Sequence, residues 1–239
     1  MSARFQELDY RETPMGVISL RRRLDPRAGV DVFEVKLDDD FLMSSLYTVA
    51  EIEVARLALA RLPGEDLDVL VGGLGLGFTA LAVLDDPRVR SLVVIEALGE
   101  VIEWHELGLI PAGERLAADP RCTLVQGDFF ALAAGSGLDP RDQGRRFDAV
   151  VVDIDHSPVH HLHPSHAPFY TVPGLQKLAA HLRPGGCFSL WSNDPPGEEF
   201  TALLAQVFAH VEGVLVHFPN PLQDREATNS VYVAAGVRA

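Results

Sequence analysis

Short strand-like runs alternate with segments of helical pattern from residue 67 to the end of the chain. The runs span residues 67–73, 91–97, 122–128, 147–155 and 186–192. Wholly apolar runs of this length are typical of strands that are buried on both faces. Since helices connect them, the alternation predicts an α/β fold with a mostly parallel sheet covered on both faces. The last two runs, 213–218 and 229–236, have no helix between them and should form an antiparallel hairpin at one edge.

The intervening segments predict helices, and the first part of the chain predicts a separate small unit. The predicted helices lie at residues 45–62, 78–86, 99–109, 129–135, 172–182 and 198–211. Residues 1–45 contain two strand patterns, 16–24 and 29–37, around the turn DPRAG. We therefore expect an N-terminal β-hairpin module at 1–45, followed by the α/β domain at 46–239.

Composition limits the partners. The chain has 34 acidic and 20 basic residues, for a net charge of −14, and its one short basic run is Arg21–Arg23. Because phosphate backbones are bound by clustered Lys and Arg, we expect no nucleic-acid partner and favour a small or cationic substrate. No apolar run reaches membrane-spanning length, and the polar N-terminal segment lacks a signal-peptide core. We expect no membrane partner, a cytoplasmic location and reduced cysteines at Cys122 and Cys187.

A glycine-rich loop follows the first buried strand. In VLVGGLGLGFTAL, the glycines are Gly72, Gly73, Gly75 and Gly77. A loop between a strand and a helix is the context in which glycines let the backbone approach a nucleotide. The spacing differs from the G-x-G-x-x-G dinucleotide form, so a simple tight turn is the alternative.

Acidic residues stand at the ends of the next three predicted strands. Glu96 ends LVVIE, Asp128 follows the third strand with Phe129 beside it, and Asp153 and Asp155 end the fourth. Each acid alone could be a solvated loop residue or a helix N-cap. Together they indicate a ligand site, because ligands of open α/β sheets bind outside the carboxyl ends of the strands.

The order GGLGLG, VIE, GDFF, VVVDID and LRPGG resembles class I S-adenosylmethionine-dependent methyltransferases, and within them the spermidine synthase family, over about residues 67–239. The resemblance implies a Rossmann-like fold with a seven-stranded sheet and, from the synthases, a possible homodimer. It implies that Gly72, Gly73, Gly75 and Gly77 line the methionine end of S-adenosylmethionine or its decarboxylated form. Glu96 would bind the ribose, and Asp128 with Phe129 the adenine. Asp153 would help to deprotonate the attacking amine.

The chain departs from the aminopropyl transferases at two places. They tend to have GGGDGG at the glycine loop, with an aspartate where this chain has Gly75, and a Tyr-His pair that SSLYTVAEIE lacks. We therefore expect methyl transfer from S-adenosylmethionine to a small-molecule acceptor. Aminopropyl transfer to a polyamine is one alternative, and a nucleoside-binding module without catalysis is another.

Five of the nine histidines lie between Asp153 and Pro168. Three interpretations remain open for this segment. His156, His160 or His161 could act as a general base in an acceptor pocket, the segment could bind a metal with Asp153 and Asp155, or it could be a polar surface loop. We expect the acceptor pocket and no metal, with Asp153, Asp155 and His156 as catalytic candidates. The pocket would be lined by His160, His161, Tyr170 and Trp191.

Overall fold

The computed structural model describes residues 5–220 and 225–238. Its strands are β1 (Phe5–Thr13), β2 (Gly16–Leu24), β3 (Asp31–Leu37), β4 (Asp40–Ser44), β5 (Leu67–Gly72), β6 (Val89–Glu96), β7 (Cys122–Gln126), β8 (Phe147–Val152), β9 (Leu182–Ser192), β10 (Phe208–Asn220) and β11 (Arg225–Val237). Its helices are α1 (Val49–Ala60), α2 (Phe78–Leu84), α3 (Gly99–Glu106), α4 (Pro111–Ala118), α5 (Phe129–Ala134), α6 (Val172–Ala179) and α7 (Glu198–Val207), with a 3₁₀ turn at Pro164–Tyr170.

The central sheet has seven strands in the order β10-β11-β9-β8-β5-β6-β7. The five strands from β9 to β7 are parallel, whereas β11 pairs in antiparallel orientation with both β9 and β10. Strand β5 is buried at every position, as its sequence, apolar except for Asp68, predicts for a strand between two helical layers. The predicted α/β, Rossmann-like fold is confirmed.

The N-terminal sheet is larger than the predicted hairpin. The two predicted strands are present as β2 and β3, but β1 and β4 extend them to a four-stranded antiparallel sheet. Strand β1, FQELDYRET, has polar side chains at most positions and is largely exposed, so it lacks the apolar alternation by which strands are recognised. Its pairing with β2 along nearly its whole length makes it a strand.

Other differences concern the ends of elements: the strand predicted at 147–155 ends at Val152, and β9 begins at Leu182 and not at residue 186. The helix predicted at 198–211 ends at Val207, because β10 begins at Phe208 and pairs with Val237 of β11. Helix α4 and the 3₁₀ turn were not predicted. In each case tertiary pairing or packing overrides a weak local pattern.

The N-terminal sheet is anchored beside the glycine loop. Trp104 of α3 is fully buried and donates its indole Nε1–H to Asp9 of β1 at 2.6 Å. Arg11 of the same strand forms an ion pair with Glu103. Met43 of β4 accepts a hydrogen bond at Sδ from the backbone N–H of Leu76, at 3.2 Å. The sheet therefore lies against the carboxyl ends of the parallel strands. No helix within 5–220 and 225–238 is long and apolar enough to cross a membrane.

Candidate functional site

A cavity of about 640 Å³ opens at the carboxyl ends of the parallel strands. Its wall combines the ends of β5 to β9, the first turn of α1, the histidine-rich segment and one face of the N-terminal sheet. The strand register aligns Gly72 with both Ile95 and Val152, and Val152 with Leu190. The residues that follow these positions therefore meet along one edge of the sheet, where open α/β sheets bind their ligands.

The glycine loop makes two backbone approaches that no larger residue permits. Gly73 has φ +94°, and a Cβ added there would lie 2.1 Å from the carbonyl oxygen of Asp153. Gly75 has φ +47°, and a Cβ there would lie 2.4 Å from Met43 Cε. Both line the cavity. Gly72 and Gly77 are not in its lining: Gly72 packs under the Phe129 ring, and Gly77 precedes α2 with left-handed backbone.

The residues predicted to bind the nucleoside follow β6 and β7, the two strands on one side of β5. Glu96, the last residue of β6, accepts hydrogen bonds from the backbone N–H groups of Leu74 and Leu98, each at 2.9 Å. Burial raises the pKa of Glu96, and these N–H donors oppose the rise. Asp128 caps α5 through Oδ1, which accepts from Phe130 and Ala131. Glu96, Asp128 and the buried Phe129 all line the cavity.

On the other side of the glycine loop, two carboxyl groups form a pair. Asp153 follows β8, and Glu51 lies in the first turn of α1. The Thr79 hydroxyl donates to Asp153 Oδ2 at 2.7 Å and also lies 3.0 Å from the carbonyl oxygen of Glu51. Burial and the neighbouring charge of Asp153 raise the pKa of Glu51 to about 8, and burial raises that of Asp153 to about 6. Around neutral pH the pair therefore holds about one negative charge.

Asp155 and Tyr170 do not line the cavity. Asp155 is 1% exposed and accepts from the backbone N–H of Leu162, from His166 Nδ1 and from the Tyr170 hydroxyl, at 2.7–2.8 Å. These hydrogen bonds hold the histidine-rich segment in its conformation. This geometry suits a positioning residue better than the catalytic acid or base that we expected from the sequence.

The histidines separate into two groups. His156, His163 and His166 line the cavity, and the His166 ring stacks on Phe130 at 3.9 Å. His160 and His161 are absent from the lining: His160 is exposed and donates to Asp194, whereas His161 donates to the Pro158 carbonyl and stacks on Tyr170. In the described ranges, no three His, Cys, Asp or Glu side chains converge as metal ligands.

Trp191 lines the cavity at the end of β9. Its indole Nε1 is buried and finds no hydrogen-bond partner among the residues that the structure describes. A buried N–H without a partner is destabilising.

Three residues that line or support the cavity were not predicted from the sequence. Glu51 shares a helical face with the buried Val54, Ala55 and Ala58, so an acid within an apolar stripe was the available signal. His166 lies in the histidine-rich segment, but no sequence signal distinguishes it from the other histidines there. His105, which is buried and donates Nε2–H to the Gly75 carbonyl at 2.8 Å, braces the glycine loop, and nothing in its local sequence indicates that role.

Comparisons with known proteins agree with this fold. No family model matches the sequence. Among curated proteins, putrescine N-methyltransferase 3 of Nicotiana tabacum is 27% identical over 164 residues, which are 65% of this chain and 39% of that protein. Putrescine N-methyltransferase 2 of Nicotiana attenuata is 27% identical over 162 residues, 65% and 40% of the two chains. The matched segment thus spans about two fifths of these curated relatives.

The solved structures cover nearly the whole chain. A spermidine synthase in complex with the transition-state analogue AdoDATO has a TM-score of 0.72 and 19% identity, over 96% of this chain and 73% of that chain. The spermidine synthase of Thermotoga maritima also has a TM-score of 0.72, with 18% identity over 96% and 72%. The chain has a Rossmann-like class I methyltransferase fold. Among solved structures, its fold is similar to that of spermidine synthases.

Proposed function

We propose that this chain is an S-adenosylmethionine-dependent transferase that methylates an amine of a small molecule. The observation that supports this most directly is the Glu51–Asp153 pair, which stands next to the glycine-loop backbone in the cavity wall. Two carboxyl groups whose pKa values are raised above their usual range suit a cationic acceptor that must lose a proton. The curated relatives are named for methyl transfer to the diamine putrescine, which fits the same chemistry.

The cavity fits the nucleoside part of the cofactor. Gly73 and Gly75 present backbone without side chains, and Glu96 retains lone pairs for the ribose hydroxyls beside the N–H bonds that it accepts. Asp128 has its Oδ2 free of partners within the described residues, since both capping bonds use Oδ1. S-adenosylmethionine supplies an electrophilic methyl carbon on a sulfonium.

The acceptor amine enters as an ammonium, which cannot attack. The negative charge shared by Glu51 and Asp153 attracts it, and the pair takes its proton. Asp153, held by Thr79, then orients the free amine. The amine lone pair forms the new bond to the methyl carbon as the carbon–sulfur bond breaks, and sulfur retains that electron pair. His156, close along the chain and in the cavity wall, is the second candidate to receive the proton.

Gly75 and Met43 favour methyl transfer over aminopropyl transfer. Aminopropyl transferases tend to have an aspartate at this position, whereas this chain has Gly75 with φ +47° and the end of the Met43 side chain against it. No carboxylate is therefore present there for the amine of decarboxylated S-adenosylmethionine. Aminopropyl transfer remains the second candidate because no Lys or Arg of the described chain lines the cavity. The carboxylate of S-adenosylmethionine would therefore have to bind backbone N–H groups, whereas the decarboxylated form has no carboxylate to be bound.

Calorimetric titration of the purified protein with both forms of the cofactor tests the proposal. We expect tighter binding of S-adenosylmethionine, and Glu96→Ala should weaken it by about 1.5–3 kcal/mol through the loss of a charged hydrogen-bond acceptor. Glu106→Ala, at the exposed end of α3, is the control and should bind as the wild type does. Preference for the decarboxylated form would favour aminopropyl transfer. Binding of neither form would contradict the cofactor assignment.

A further inference from the structure

The cavity has two chemically different sides. All four carboxylates in its lining, Glu51, Glu96, Asp128 and Asp153, come from α1 or from the ends of the parallel strands. The N-terminal sheet and its first turn contribute the opposite side, through side chains that include Met15, Ile18, Leu37, Leu42 and Met43. None of the lining residues from that sheet is charged. We call this side the apolar roof.

The acids also divide between two ligands. Glu96 and Asp128 follow β6 and β7, on one side of the central β5, and serve the nucleoside in the proposed function. Glu51 and Asp153 lie on the other side, toward β9 and Trp191. Only this pair is left for the acceptor, and near neutral pH it holds about one negative charge. The acceptor site is thus matched to one ammonium group.

We propose that the acceptor is an amine with a single cationic group and an apolar body, such as an alkyl or arylalkyl monoamine. The proposal rests on the methyl transfer proposed above. The amine lies at Glu51 and Asp153, and the body packs against the apolar roof, where burial of its surface adds affinity.

A diamine fits this arrangement poorly. Its second ammonium would reach the apolar roof, where no described lining residue offers a carboxylate. A charge that loses its water without gaining a partner is strongly disfavoured. The roof therefore selects against the doubly charged amines that a purely acidic cavity would accept.

Two amines of equal length test this directly: hexylamine, and the terminal diaminopentane in which a second ammonium replaces the methyl end. Each is titrated calorimetrically into the protein with and without S-adenosylhomocysteine, and initial methylation rates are measured with both. We expect hexylamine to bind roughly 100-fold more tightly, the factor that corresponds to two steps of 1.4 kcal/mol, and to be methylated faster.

A variant of the roof supplies the reciprocal test. Leu37→Asp places a carboxylate on the half-buried roof and should shift the preference toward the diamine by at least about tenfold, a step of 1.4 kcal/mol. Leu37→Asn, of the same shape without charge, should not. Equal or tighter binding of the diamine by the wild type would overturn the proposal, as would binding of neither amine. If S-adenosylmethionine itself does not bind, the methyl transfer fails separately, and the amine titrations still decide the preference.

Discussion

At the scale of single residues, the chemistry depends on where two half-buried carboxyl groups meet. The position of Asp153 at a strand end could be predicted from the sequence, because the fold determines which strand ends meet. Its partner Glu51 could not be found in the same way. It comes from a helix more than 100 residues earlier in the chain, and only the packing of α1 against α2 and β9 brings it to the cavity.

The first prediction concerns the pH dependence of stability. The folded-state pKa of Glu51 is raised from 4.5 to about 8, so the folded protein holds a proton that the unfolded chain releases above about pH 4.5. The free energy of unfolding should therefore fall as pH rises from about 4.5 to 8. Glu51→Gln should flatten this decline in urea titrations. Glu53→Gln, which changes a surface ion pair on the same helix, should leave it intact. An unchanged slope in Glu51→Gln would argue against a buried, protonated Glu51.

A second prediction separates backbone strain from close contact. Gly73 and Gly64 both have φ +94°, but a Cβ meets the Asp153 carbonyl at 2.1 Å only at Gly73, and nothing within 4 Å at Gly64. Gly64→Ala should cost about 1–2 kcal/mol from the left-handed conformation alone. Gly73→Ala should cost more and displace Asp153, so cofactor binding should weaken as well. Equal effects of the two changes on urea unfolding and on binding would refute this account of the glycine loop.

At the scale of elements, the strand–helix alternation was predictable because buried parallel strands are apolar throughout. The end of α7 and the start of β10 could not be predicted, because residues 208–211 contain no local signal that outweighs their pairing with β11. The burial of the Asp155 side chain could not be predicted either. A segment rich in His and Pro does not indicate which of its polar side chains will be buried.

The third prediction tests Asp155 as the organiser of the histidine-rich segment. Tyr170→Phe removes the hydroxyl that donates to Oδ2 of buried Asp155 at 2.8 Å and should cost about 1–3 kcal/mol, because Oδ2 is then buried without a partner. Amide hydrogen exchange should then accelerate across residues 155–170. Tyr10→Phe, at an exposed position of β1, is the matched control. Unchanged exchange in Tyr170→Phe would mean that the segment is held by other contacts.

At the scale of the whole molecule, ionic stabilisation and the candidate site lie at opposite ends of the parallel strands. Near the start of β5, buried Asp68 forms ion pairs with Arg90, Arg145 and Arg183. Although burial opposes its ionisation, hydrogen bonds from Ser91, Arg90 and Arg183 lower the pKa of Asp68 to about 2. The stability from this group is present above about pH 4 and is lost as pH falls through about 2.

The fourth prediction follows from this separation. Asp68→Asn should destabilise the protein by about 1–3 kcal/mol at neutral pH, because its charged hydrogen bonds to partly exposed arginines are lost. Its affinity for S-adenosylmethionine should stay at the wild-type value, since the cavity is at the other end of the strands. Glu65→Gln, an exposed neighbour, should change neither quantity in urea unfolding and calorimetry. Lost cofactor affinity in folded Asp68→Asn would contradict the separation.

The central claim is methyl transfer to an amine at Glu51 and Asp153, and product analysis tests it most directly. The protein is incubated with hexylamine and either S-adenosylmethionine or its decarboxylated form, and both the amine and the nucleoside products are identified by mass spectrometry. The account predicts an N-methylated amine with one equivalent of S-adenosylhomocysteine, and loss of both in Glu51→Gln/Asp153→Asn. An aminopropylated amine with methylthioadenosine, formed from the decarboxylated cofactor alone, would contradict it.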